Sequence, residues 1–240
     1  MICKGSDRKK GMVKDMKLGI VSAMPIEIEY VLSKCKEVKE IQLKRNIYYQ
    51  GNYNNHELII VASGVGKTNA SIYTQIMVDH FKPDGIINIG VGGGLSDSLE
   101  PFDVVLGKSF SYHDVRVKQM KNMFPFRTTF KGDSHLVTIF AEHFDDDKQG
   151  KIVSGESFVG SSQDKKEIIK TYHPLIVDME TSSIAHCCFV NDIPFISLNA
   201  VTDLADDEAG TTYYKNDKEA ADYAGEKLLS ILEIEKERLI

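Results

Sequence analysis

Short apolar runs alternate with segments of helical periodicity along most of the chain after residue 15. The runs are bounded by glycine, proline or polar residues, which is typical of buried strands. This pattern predicts strands at 17–23, 47–53, 57–62, 85–89, 103–108, 151–154, 175–177 and 194–201. It predicts helices at 27–34, 68–80, 164–172, 181–190 and 219–237, and an irregular segment at 111–135.

This order of elements predicts an α/β fold, a three-layer α/β/α domain with a mixed central sheet over residues 16–240. The strands at 47–53 and 57–62 flank Asn54-Asn55 and are expected to form a hairpin. Residues 1–15 are polar and basic and lack the apolar segment of a signal peptide, so we expect a disordered extension. No apolar stretch approaches the length of a membrane span.

Composition narrows the classes of partner. The chain has 240 residues, 42% of them hydrophobic, and a net charge of −6, which suits a globular core and not a nucleic-acid surface. The four cysteines, Cys3, Cys35, Cys187 and Cys188, show no C-x-x-C spacing. We therefore expect neither a disulfide framework nor a zinc site, and a reducing, cytoplasmic compartment is indicated.

Two glycine motifs follow predicted strands. Gly64-Val-Gly-Lys-Thr68 resembles the end of a P-loop, but Val61 stands where the first glycine is required. Gly90-Val-Gly-Gly-Gly-Leu95 resembles a dinucleotide fingerprint, but Leu95 replaces its third glycine. Both motifs fail on spacing. The glycines still allow backbone to approach a ligand closely, with a tight turn chosen for packing as the alternative.

Carboxylates lie just past three of the predicted strands. Glu27, Glu180 and Asp203 share one edge of the sheet if those strands are parallel. Such a set suits glycosidic cleavage, in which one acid protonates the leaving group and another group activates water. The alternative is that Asp178 or Glu180 merely caps the helix that follows. A metal site is not expected, because the nearest acidic cluster, at 203–208, is more typical of a solvated loop.

Seven segments carry a family resemblance. They are Leu18-Gly-Ile-Val-Ser-Ala-Met-Pro-Ile-Glu-Ile-Glu29, Ser63-Gly-Val-Gly-Lys67, Ile87-Asn-Ile-Gly-Val-Gly-Gly-Gly-Leu95, Tyr112-His-Asp114, Val153-Ser-Gly-Glu-Ser-Phe-Val159, Val177-Asp-Met-Glu180 and Ala200-Val-Thr-Asp-Leu-Ala-Asp206. In this order they are similar to blocks of the 5′-methylthioadenosine/S-adenosylhomocysteine nucleosidases. The resemblance implies the nucleoside phosphorylase-like α/β fold and hydrolysis of a 5′-substituted adenosine to release adenine, without a cofactor. It also implies a homodimer whose partner subunit completes the pocket.

The resemblance also implies roles for individual residues. Glu27 matches the base that activates water, Asp203 the acid that protonates the purine at N7, and Glu180 the residue that holds the ribose hydroxyls. The other residues that it places at the substrate are Met179 beside the sugar, Phe158 and Val159 at adenine, Gly93 in the substrate loop, Tyr213 near the 5′ substituent, and Asp178, Ala23, Met24 and Thr202.

The chain departs from the family pattern at three places. Asn199 replaces a usual arginine, Val91 a usual serine, and 118–124 an aromatic, glycine-rich segment. We expect altered water positioning and an altered 5′ pocket, and we expect His113 and Asp114 to order a nearby loop. Two alternatives stay open: a phosphate-dependent phosphorylase, and a catalytically weakened nucleoside-binding or adhesion relative. A carboxylate as the base argues against the first, since it would repel a phosphate dianion.

Overall fold

The computed structural model describes residues 16–235, 238 and 239; the extension expected at 1–15 lies outside them. The strands are β1 (Lys17–Ser22), β2 (Lys36–Leu43), β3 (Asn46–Tyr53), β4 (His56–Ala62), β5 (Gly85–Gly94), β6 (Val104–Tyr112), β7 (Phe130–Lys131), β8 (Gln149–Ser154), β9 (Ile176–Asp178) and β10 (Phe195–Asp203). The α-helices are α1 (Pro25–Lys34), α2 (Lys67–Phe81), α3 (Val117–Asn122), α4 (Ser134–Ala141), α5 (Ser162–Tyr172), α6 (Thr181–Val190) and α7 (Ala209–Ile234).

The strands form one mixed sheet that closes on itself at one end. β5, β9, β8, β6 and β10 follow one another as neighbours, and β10 pairs with β5 again. From β5 the sheet continues outwards through β1, β4, β3 and β2. α7 packs against β10 and β5, whereas α6 packs against β8 and β6 and is covered by α2. The predicted α/β class with a mixed sheet is confirmed; the ring closure was not foreseen.

Two apolar cores lie on opposite faces of the sheet. Alternating side chains on one strand serve different cores, as Ile20 and Val21 of β1 show. Every residue of β5 and of β10 is buried. Burial on both faces explains why these two strands appear in the sequence as nearly continuous apolar runs.

The pattern missed β2 because this edge strand exposes most of its residues and, among the described strands, pairs only with β3. The predicted hairpin is confirmed, since Tyr53 of β3 faces His56 of β4 across the turn. The prediction of an irregular segment at 111–135 was wrong in part, because the end of β6, α3, β7 and the start of α4 lie there. These elements are too short for a hydrophobic period to show.

The last helix begins earlier than predicted, at Ala209 instead of 219. The segment 209–218 contains one glycine, two threonines and two tyrosines, which are poor helix formers. Tertiary contacts compensate, because the buried Asn216 donates from Nδ2 to the carbonyl of Thr202 at 2.8 Å. The predicted end at 237 lies outside the described residues; α7 ends at Ile234.

Candidate active site

A cavity of about 90 Å³ opens where the carboxyl ends of β5 and β10 meet β9 and the start of α1. All of the expected site residues except Thr202 line it. The lining residues are Ala23, Met24, Glu27, Val65, Val91, Gly92, Gly93, Ser157, Phe158, Val159, Val177, Asp178, Met179, Glu180, Asp203 and Tyr213.

The three carboxylates converge by a route that differs from the one expected. β10 runs parallel to β5, with Asp203 opposite Gly93. β9 runs antiparallel to β5, with Val177 opposite the same glycine, so the assumption of parallel strands fails for Glu180. The acid still reaches the cavity because β9 has only 3 residues and the chain turns at once into α6.

Glu27 is held by backbone donors. Its Oε2 accepts hydrogen bonds from the N–H groups of Ala23 and Met24, both at 2.8 Å, and its Oε1 accepts one from Val91 at 3.1 Å. The side chain lies in the first turn of α1, and the residue is 4% exposed. Burial raises the pKa of Glu27 to about 7, against the opposing effect of these hydrogen bonds. A carboxylate with a pKa near neutrality can accept a proton from water.

Asp178 is a structural anchor. Its carboxylate accepts hydrogen bonds from the hydroxyls of Ser154 and Thr181, from Asn199 Nδ2 at 3.0 Å, and from the N–H groups of Glu180 and Thr181, both at 3.3 Å. These donors occupy both oxygens and cap the start of α6. The capping alternative considered for this acid pair therefore fits Asp178, which also lines the cavity.

Glu180, unlike Asp178, does not bind the start of α6 through its side chain. It precedes α6, but its side chain makes no cap to that helix; Oε1 instead accepts a hydrogen bond from the N–H of Gly66 at 2.6 Å. Burial, followed by the charge of Asp178, raises the pKa of Glu180 to about 8. The turn after β9 thus gives two acids of equal strand parity different partners, although both line the cavity: Asp178 is held by five donors, and Glu180 is bound by the N–H of Gly66.

Asp203 ends β10 and is 1% exposed. Its Oδ2 lies 2.8 Å from the Thr202 hydroxyl, and its Oδ1 accepts a hydrogen bond from the N–H of Ala205 at 2.8 Å. Burial raises the pKa of Asp203, so the acid retains a proton to a higher pH than usual. Thr202 itself does not line the cavity: its hydroxyl is engaged with Asp203 Oδ2 and with the carbonyl of Gly92, at a point where the register between β10 and β5 shifts.

The wall beside Asp203 is apolar and narrow. The rings of Phe158 and Tyr213 lie 5.9 Å apart, edge to face, and the Tyr213 hydroxyl lies 3.4 Å from Met24 Sδ. A Cβ atom at Gly93 would lie 3.1 Å from Asp203 Oδ1. Any larger residue at Gly93 would therefore intrude on the carboxylate, which explains the glycine there.

Sequence reasoning did not select Val65, Gly92, Ser157 or Val177, which also line the cavity. A signal for Val65 was present, since it stands between two glycines that adopt φ values of 90° and 97°. Such a turn is accessible to glycine but rarely to other residues. It carries the half-exposed Val65 side chain to the mouth of the cavity.

The cavity is acidic. Four of its lining side chains are carboxylates, and none of the described residues that line it is Lys, Arg or His. Within 16–235, 238 and 239, no group of three or more His, Cys, Asp or Glu residues could hold a metal ion. This arrangement can exchange protons and accept hydrogen bonds from hydroxyl groups, and it disfavours an anionic ligand.

Comparison with known proteins agrees with this chemistry. The sequence profile of the phosphorylase superfamily matches residues 17–234. The 5′-methylthioadenosine/S-adenosylhomocysteine nucleosidase of Staphylococcus carnosus is 35% identical over 228 residues, which cover 90% of this chain and 98% of that protein. The crystal structure of the Streptococcus pyogenes S-adenosylhomocysteine nucleosidase in complex with 5-methylthiotubericidin superposes with a TM-score of 0.88 at 32% identity, covering 93% of this chain and 99% of that one.

Futalosine hydrolase of Helicobacter pylori has the same fold, with a TM-score of 0.85 at 27% identity over 91% of this chain and 98% of that one. Identity above 30% over nearly the whole length places the chain with the first group. The chain belongs to the 5′-methylthioadenosine/S-adenosylhomocysteine nucleosidases, a family of N-glycosyl hydrolases within the phosphorylase superfamily.

Proposed function

We propose that this protein hydrolyses the N-glycosidic bond of 5′-methylthioadenosine, S-adenosylhomocysteine or a related 5′-substituted adenosine and releases adenine. One observation carries the proposal: Glu27, Glu180 and Asp203 line a single cavity, and no described residue in its wall is cationic. The names of the relatives support the same reaction. The direct test is adenine release from such nucleosides with and without phosphate.

The reaction breaks the bond between ribose C1′ and purine N9. Glu27 accepts a proton from a water molecule, whose oxygen then forms the new bond to C1′. The electrons of the broken bond pass to the purine, and Asp203 donates its proton to N7, so that adenine leaves as a neutral base. Solvent then takes the proton from Glu27 and returns one to Asp203. The raised pKa values of both acids suit these roles.

The substrate's other groups find partners along the same cavity. Glu180 is positioned to accept hydrogen bonds from the ribose hydroxyls, with Met179 packed beside the sugar. The exposed ring of Phe158 supplies a stacking surface for adenine, and the backbone of Val159 supplies donors and acceptors to its edge. Gly93 leaves the space between the base and Asp203 open.

The 5′ substituent is assigned to the end of the cavity formed by Ala23, Met24, Val65 and Tyr213. These side chains are apolar apart from the Tyr213 hydroxyl. The reaction does not depend on what occupies this end, because the bond that breaks lies at the other side of the ribose. A panel of 5′-substituted adenosines, including a futalosine-type nucleoside, would rank the candidates.

The charge of the cavity argues against a phosphorylase, which must bind phosphate as a dianion beside the ribose. None of the described residues of the wall is a cation that could bind it, and the ionised Glu27 that the reaction needs would repel it. A nucleoside-binding or adhesion protein on a weakened enzyme scaffold is distinguished by turnover: it would bind adenine nucleosides tightly and release no adenine. Asn199 and Val91 motivate that alternative: Asn199 is tied to Asp178 and lies outside the lining, whereas Val91 lines the cavity.

We further propose a cytoplasmic homodimer that acts in methionine salvage. The side chains of Val65 and Phe158 at the cavity mouth are both 50% exposed, which a partner subunit would cover. Cys35, Cys187 and Cys188 are free thiols, as a reducing compartment allows. None of the helices within the described residues is long and apolar enough to cross a membrane. Light scattering would measure the oligomeric state.

A further inference from the structure

The glycine turn that resembles a P-loop binds one of the protein's own carboxylates. The N–H of Gly66, at the start of α2, donates to Glu180 Oε1 at 2.6 Å. A helix start attracts negative charge, and this hydrogen bond lowers the pKa of Glu180 against the effect of burial. The turn therefore orients the acid that is assigned to the ribose hydroxyls.

The next residue, Lys67, ties this turn to a second loop. Lys67 Nζ lies 2.6 and 2.8 Å from the two carboxylate oxygens of Asp114, in the loop after β6. The two side chains are only 21% and 27% exposed, and the Lys67 ammonium also lies 5.4 Å from the centre of the Tyr112 ring. An ion pair with this geometry and partial burial is better fixed than an ordinary surface pair.

Asp114 also contacts a third loop, which lies at the end of the cavity assigned to adenine. Its Oδ2 accepts a hydrogen bond from the N–H of Glu156 at 2.7 Å, and Ser157, Phe158 and Val159 follow directly and line the cavity. Burial would raise the pKa of Asp114, but the bonds from Lys67 and Glu156 keep it below its usual value. Asp114 thus stays charged throughout the neutral range.

We propose that Lys67 and Asp114 are positioning residues for the nucleosidase reaction. Their ion pair holds the Gly66 turn against Glu180 and also holds the loop that carries Phe158. One contact therefore fixes the positions of the groups assigned to the ribose and to adenine. Neither side chain lines the cavity. The inference deepens the proposed function and rests on it for the identity of the substrate.

The test uses Lys67→Met, Asp114→Asn, the double variant and Lys67→Arg. Lys148→Met is the matched control, because the Lys148–Asp103 pair has a comparable distance of 2.5 Å and exposures of 29% and 20%, and neither residue lines the cavity. The measurements are kcat and KM for adenine release from 5′-methylthioadenosine, the Kd of a 7-deazaadenosine, and hydrogen exchange at the Gly66 amide.

We expect both single variants to raise KM and Kd roughly tenfold while kcat changes less than about threefold, since binding geometry is lost and the reacting acids remain. The Gly66 amide should exchange faster. The double variant should be no worse than either single variant, because the two residues act as one unit. Lys67→Arg should restore most of the affinity, and Lys148→Met should behave as the wild type.

The proposal is overturned if folded Lys67→Met or Asp114→Asn keeps wild-type KM, Kd and Gly66 exchange while only its melting temperature falls. Asp114→Asn, which conserves shape, decides the matter if Lys67→Met does not fold. A wild type that releases no adenine would contradict the proposed function alone, since the Kd and the Gly66 exchange still test the positioning pair.

Discussion

The backbone N–H of Val91 donates to Glu27 Oε1 at 3.1 Å, which joins β5 to the acid at the start of α1. The other donors to Glu27 are the N–H groups of Ala23 and Met24. All three donors belong to the backbone, so the orientation of this carboxylate does not depend on the side chain at position 91. The valine there, where the family usually has serine, therefore leaves the proposed base in place.

Replacement of Glu27, the proposed general base, should abolish turnover without abolishing nucleoside binding. We expect Glu27→Gln to lower kcat about 100- to 10,000-fold, since water then lacks a proton acceptor. The Kd of a non-hydrolysable adenine nucleoside should change little, because a glutamine side chain occupies nearly the same volume as a glutamate. Steady-state kinetics and calorimetry measure the two quantities. Near wild-type kcat in this variant would contradict the assigned role.

The role of Asp203, the proposed donor of a proton to adenine, can be tested by changing the substrate as well as the protein. Asp203→Asn should lower kcat by a similar factor of about 100 to 10,000, because N7 is no longer protonated. A 7-deaza nucleoside, which has no N7 acceptor, should bind to the wild type and resist cleavage. The partly exposed Asp222, paired with Lys218 on α7, provides the control Asp222→Asn, which should keep wild-type kcat. Rapid cleavage of the 7-deaza nucleoside would rule out N7 protonation.

Burial of Glu27 makes stability depend on pH. Its pKa is raised from 4.5 to about 7, so between these values the folded state binds more protons than the unfolded chain, and stability falls as pH rises. Glu27→Gln removes this contribution. Relative to the wild type, the variant's free energy of unfolding should therefore increase by about 1–3 kcal/mol between pH 5 and pH 8. Urea unfolding at both pH values measures this, and a constant difference would contradict it.

Asp178 should matter for structure more than for binding. In Asp178→Asn, the amide group would face the donor Nδ2 of Asn199, which now lies 3.0 Å from the carboxylate. We expect a loss of about 1–3 kcal/mol of stability, since a buried polar group is left unsatisfied. The pKa of Glu180 should fall, because the charge of Asp178 contributes to raising it. Thermal unfolding, with the exposed Asp97→Asn as control, would show the loss; an unchanged melting temperature would contradict it.

Much of the fold could be predicted because buried strands and amphipathic helices carry a period. β5 and β10 were found for this reason. β2 was missed because its exposed edge has no apolar pattern, and the start of α7 because poor helix formers are held there by contacts such as Asn216 to Thr202. Ring closure depends on pairing between β10 and β5, which are about a hundred residues apart, and nothing local encodes it.

The sequence allowed us to predict which residues form the candidate site, but not how their side chains are arranged. Glu27, Glu180 and Asp203 stood out because ligands of α/β sheets bind at the carboxyl ends of strands, and the family resemblance gave each acid a role. The division of labour between Asp178 and Glu180 depends on a tight turn after β9 and on Gly66, which lies far away in the sequence. The resemblance placed Thr202 at the substrate, but its hydroxyl is bonded to Asp203 and to the carbonyl of Gly92 and does not line the cavity.

The most direct test of the proposed hydrolysis is adenine release by the purified protein from 5′-methylthioadenosine and S-adenosylhomocysteine, measured with and without phosphate. A cavity lined by four carboxylates, with no cation among its described lining residues, predicts release at the same rate in both conditions, with the free sugar as the second product. Release that requires phosphate and yields a ribose 1-phosphate, or tight nucleoside binding without any release, would contradict it.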